Sequence, residues 1–136
     1  MARAGRLDRL AVANIALLVA VGVHAAWHVT RGLDASTPEV LGGGALLAAI
    51  VAASLPLTLT RHPAASLAAV GVGLLDAAAV SVSHFAPHWS VLSDSFADHS
   101  VGAFGWTSAG VEVGVALVFA LVGAAALRQV RSSPAT

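Results

Sequence analysis

The chain has 136 residues, 57% of them hydrophobic and only 10% charged, with a mean hydropathy of +0.84; soluble domains carry about one quarter charged residues, so the composition is that of a membrane protein. Seven arginines balance seven acidic residues, which leaves neither the net charge nor the basic stripe that nucleic-acid binding needs. The absence of cysteine excludes disulfides, CxxC redox chemistry and thiolate metal sites.

Four apolar runs, at about 9–29, 40–60, 64–85 and 106–127, are each long enough to cross a hydrocarbon core of roughly 30 Å, which takes about 20 helical residues. They lack the alternation of a barrel strand, and helices satisfy their own backbone in lipid. The expected fold is therefore all-α: an integral membrane four-helix bundle forming a single transmembrane domain. Arg3, Arg6 and Arg9 precede the first run, Arg61 separates the second and third, and Arg128 and Arg131 follow the fourth, with Arg31 alone on the other side. That bias predicts cytoplasmic termini, in a plasma (inner) membrane. Trp27, Trp89 and Trp106 all fall at the opposite ends of their runs, as an outer aromatic belt would. The start of the chain, with "VHA" after an apolar run, has features of a cleaved signal peptide, but the run continues through Trp27 at full span length and is read as a retained helix.

In the first span, Asn14, Leu17, Val21 and His24 form a stripe facing the bundle. "HAAWH" then sets His24 and His28 four residues apart, on one helix face and able to reach one ion. The second span carries "LGGGALLAA" and the third "GVGLLDAAA", small residues that permit close helix packing. The third span also holds Asp76, about 12 Å below His84 at 1.5 Å per residue. It ends in "SHFAPHWSVLSDSF", where the spacing repeats in His84 and His88, but Pro87 disfavours helix at Ala86. His84 is expected to end the helix and His88 to open the loop. That loop, about 86–105, is long for so small a chain. Ser93, Asp94 and Ser95 could cap a short interfacial helix within it, and Asp94, Asp98 and His99 could fold over the outer site as a lid. Glu112 lies roughly 6–9 Å inside the fourth span, near the depth of His24.

Carboxylates inside a span cost about 2.5–3.5 kcal/mol on insertion scales and mark functional positions. The expected site is a metal centre at the extracytoplasmic boundary, with His24, His28, His84, His88 and Glu112 as ligands and Asp76 and Asn14 as relay or supporting groups. Imidazole with carboxylate suits zinc, copper(II), iron or nickel; haem b held between the first and third helices is the alternative cofactor. Such a site should lose metal as its histidines protonate near pH 6–6.5. No H-E-x-x-H stands in the chain, so that class of metalloprotease has no support. A proton- or cation-linked transporter or channel subunit using Asp76 and Glu112, and a cofactor-free structural or partner-binding subunit, are the competing functions. The lipid bilayer is the expected partner, with a homo-oligomer or larger membrane complex also compatible. An offset of 60 aligns His24 with His84, His28 with His88 and Asp34 with Asp94, the pattern of two parallel helical hairpins.

Overall fold

In the computed structural model the backbone is described for residues 4–131 and the side chains for residues 9–129. Arg3 lies outside the described residues, as do the side chains of Arg6 and Arg131. Helix α1 runs Ala4–Arg31, α2 Pro38–Leu59, α3 Ala65–Val80 and α4 Ala103–Arg131. A 3-10 turn at Leu33–Ala35 follows α1, and a π-helical turn at Ser81–Phe85 prolongs α3. The described residues contain no strand, and the four helices are long and apolar enough to cross a membrane. Helices α1 and α4 extend beyond their apolar runs because backbone hydrogen bonding continues where hydropathy stops, through residues such as Asp8 and Arg128.

Helix α1 buries Leu10, Asn14, Leu17, Val21, His24 and Trp27, a stripe at i, i+3 and i+4 spacing that turns one face to the bundle. Val12, Ile15, Val19 and Val23 stay exposed and give that helix an apolar outer face. Helix α2 starts on Thr37, whose hydroxyl accepts from the Val40 amide at 3.2 Å, with Pro38 at the first helical position; this is the preferred chemistry of a helix start.

The tightest seam joins α3 to α4. A Cβ on Gly73 would stand 2.5 Å from the Ala116 carbonyl oxygen, and one on Gly123 would stand 2.7 Å from that of Ser66. Only glycine allows the two backbones this approach, in antiparallel register. Helix α1 packs on α4 and α2, while α2 touches α3 less extensively and is the least buried of the four. The C-terminal ends of α1 and α3 thus meet the N-terminal ends of α2 and α4, together with the long loop, at one end of the bundle.

Several expectations change here. Residues 91–100 form two turns joined by irregular chain at 93–95, not the interfacial helix, because Asp94 spends its side chain on other partners. Trp27 is 5% exposed, so it packs inside the bundle and leaves Trp89 and Trp106 as the exposed tryptophans. The offset-60 correspondence breaks at two pairs, since Asp34 and His88 are exposed while Asp94 and His28 are buried or half-buried.

Candidate metal centre

His24 and His28 project from the last turns of α1, and His84 from the π turn that ends α3. One ring nitrogen from each lies within 4.8 Å of the others, and among the described residues no other group of this kind occurs. The ring centroids are 5.0 Å apart for His24 and His28, 4.9 Å for His24 and His84, and 5.5 Å for His28 and His84. Nitrogens bound to one zinc at 2.0–2.1 Å in tetrahedral geometry lie about 3.3 Å apart, so the rings need to close by only about 1–1.5 Å.

Each of the three rings is held from behind through Nδ1. That of His24 stands 2.6 Å from Glu112 Oε2 on α4, that of His28 stands 3.1 Å from the Ser36 hydroxyl, and that of His84 stands 3.1 Å from the Asp94 carbonyl oxygen. The carbonyl can only accept, so for His84 the proton sits on Nδ1 and the lone pair on Nε2, and His24 takes the same tautomer when Glu112 is a carboxylate. His28 adopts the same arrangement when Nδ1 donates to Ser36, whose hydroxyl already donates to Asp94 Oδ2 at 2.8 Å. Among the described residues, the buried Nε2 of His24 has no hydrogen-bond partner. Histidines engaged through Nδ1 keep Nε2 as the nitrogen available to a ligand, and a carboxylate on the other ring nitrogen raises the basicity of that nitrogen.

Asp94 organises the loop side. Arg31 donates to both of its oxygens, at 3.0 and 2.8 Å, and the side chain of Asp94 is 3% exposed. Burial alone would raise its pKa, but the hydrogen bonds from Arg31 and Ser36, with the Arg31 charge, outweigh it and hold the carboxyl below the usual carboxylate range. The π turn contributes too. It leaves the carbonyls of Ser83 and His84 to the loop, where the amides of Asp94 and Phe96 donate to them at 2.9 and 2.8 Å. Phe96 then packs its ring 4.6 Å from His84, 5.1 Å from Trp27 and 5.2 Å from Trp106, an aromatic cover on the loop side of the histidines.

The remaining expected site residues are placed as follows. His88 is exposed beyond Pro87 and is not part of the group. Glu112 is buried, but it meets Nδ1 of His24 and so lies behind that ring, as a positioning residue. Asn14 donates to Ser54 at 2.6 Å, tying α1 to α2 about 15 Å below His24, so it does not support the histidines. Asp76 is fully buried, with Glu112 as its acidic neighbour and, among the described residues, no hydrogen-bond partner on either oxygen. Of the loop residues, Asp94 is built in, His99 stands exposed with Nε2 3.8 Å from Asp94 Oδ1, and Asp98 is exposed. Arg31, Ser36 and Phe96 were missed. The signal for Arg31 was its position as the single arginine against the charge bias, which a buried acidic partner explains.

Comparison of the chain with protein-family models, with curated proteins and with solved structures gave no match.

Proposed function

We propose that this chain is an integral membrane metalloprotein that holds one transition metal ion through His24, His28 and His84 at the extracytoplasmic end of the bundle, for redox chemistry or metal handling. The observation that carries this reading is the trio of Nδ1 atoms, each engaged by a different acceptor, with Nε2 left for the ion. Three protein ligands leave a coordination position for a substrate or water. Neutral imidazoles favour zinc, copper(II) or iron, and Glu112 supplies nearby negative charge. Haem is the weaker cofactor reading, because among the described residues no arginine or lysine that could hold its propionates lines the space beside the histidines, and Arg31 is already committed to Asp94.

Metal analysis and an optical spectrum of the purified protein test this. One ion per chain without a Soret band is the expected result; a chain that holds no ion after loading with zinc, copper(II) or iron(II) overturns it. The arginine bias supports cytoplasmic termini. Cysteines introduced at the exposed Ala97 or Ser100 should react with an impermeant reagent from outside the cell, and labelling only from the cytoplasmic side would reverse the orientation.

Asp76 supports a second reading, proton-linked transport. A carboxyl wholly inside a span without a hydrogen-bond partner is costly as an anion, and it neighbours Glu112, which meets His24. Protein reconstituted in liposomes with a pH-sensitive dye should then move protons, and Asp76→Asn should abolish the movement; no proton flux in the parent protein excludes the reading.

A further inference from the structure

A cavity of about 770 Å³ opens beside the histidines, between the outer half of α2 and the facing sides of α1 and α3. That is within the 300–1,000 Å³ range of small-molecule sites. Its walls are almost wholly apolar, for example Val21, Leu47, Leu75 and Val80, and its polar groups gather at one end, where His24, His28, His84 and Glu112 line it. Helix α2 forms the outer wall with Gly43 and Gly44, and a Cβ on either would meet nothing within 4 Å. The buried Nε2 of His24, without a partner, belongs to this same space.

Charge decides what kind of molecule suits it. Among the described residues no arginine or lysine lines the cavity, and its two acidic side chains, Glu39 and Glu112, offset the charge of a divalent ion, so nothing there pairs the charge of an anion. Phosphate headgroups and carboxylic acids are therefore disfavoured, and so is a wholly apolar chain, which would offer no donor atom to the open position on the ion. A neutral ring with carbonyl or hydroxyl oxygens and an apolar tail satisfies both ends at once. We infer that the cavity binds a membrane-dissolved ligand of the quinone class, its ring oxygen directed at the histidine-held ion and its tail lying against α2. This deepens the metal-site reading and rests on it for the ion; the cavity and its polar end stand without it.

The test uses the full chain in phosphatidylcholine nanodiscs, loaded with zinc and titrated with a decyl-substituted benzoquinone, with tryptophan quenching and native mass spectrometry as readouts. Binding should saturate at one quinone per chain. Gly44→Phe fills the cavity without a clash at Cβ and should weaken binding by at least about 10-fold, whereas Gly114→Phe, at an exposed position on α4 that also has open space, should bind as the parent does. Ala79→Leu, on the α3 wall, serves where Gly44→Phe does not fold. Unsaturable partitioning, equal binding by the cavity-filling variants, or a retained phospholipid that the quinone cannot displace would overturn the inference while the ion content stays at one. Saturable quinone binding in a protein that takes up no ion would instead overturn the metal reading alone.

Discussion

His-x3-His occurs at the end of α1 and again at the end of α3, and the two copies have different fates. In α1 the helix runs through to Arg31, so His24 and His28 fall one turn apart on one face and both reach the cluster. At the end of α3 the chain leaves the helix at Ala86, which is extended with φ −77° and ψ 153°, and His88 falls in an exposed stretch outside the cluster. The lesson is that a four-residue spacing aligns two side chains only while the helix between them persists. The vacated side of the cluster is filled by residues 94–96 of the loop, which the π turn admits by releasing the carbonyls of Ser83 and His84.

The largest effect expected from this difference is in metal binding. His84→Ala should weaken it by more than about 100-fold, beyond the 10–100-fold that supporting partners cost, while His88→Ala should bind as the parent protein does. Chelator competition measures both, and equal losses would erase the distinction between the two members of the second pair.

The loop's part can be sharpened next. Asp94→Asn weakens the acceptor that holds Ser36 and Arg31, so ion affinity should fall about 10–100-fold. Arg31→Ala leaves a buried carboxylate uncompensated and should destabilise the fold by about 3–5 kcal/mol, read as a lowered thermal midpoint with faster proteolysis of the 86–102 loop. An Arg31→Ala protein as stable as its parent would mean that the loop is held by the Phe96 packing instead.

Acid should separate the two devices. Metal binding competes with protons at the imidazoles, so ion affinity should fall as the pH is lowered. The Asp94 pKa is depressed in the folded protein, so its contribution to stability is fully present above the unfolded value of about 3.9 and is lost only as the pH falls through the lower folded value. As the pH is lowered the ion should therefore leave first, while the loop amides of Asp94 and Phe96 remain protected from hydrogen exchange. Joint loss of both would show that the ion holds the loop.

The smallest effect belongs to Pro87→Ala. Paired loop amides already fix the turn, and position 87 is exposed, so stability should move by no more than about 0.5 kcal/mol, with ion affinity changing about twofold or less. A large gain in affinity would indicate that the helix had extended and brought His88 to the ion, removing the asymmetry between the two pairs.

Hydropathy alone determined the four helices of this protein, because about twenty continuous apolar residues admit few other structures. Periodicity alone determined that Leu17, Val21 and His24 share a buried face of α1, and depth counting set Glu112 beside His24. Tertiary structure decided which atoms meet. Local spacing does not register Pro87 against a π turn, so it grouped His88 with His84. It also cannot pair residues 63 positions apart, so Arg31 looked like an exception to the charge bias until Asp94 was seen folded against it. The orientation of the rings was decided in the same way, since an imidazole turns freely about its own bonds until Glu112, Ser36 and the Asp94 carbonyl, brought from three other segments, engage Nδ1.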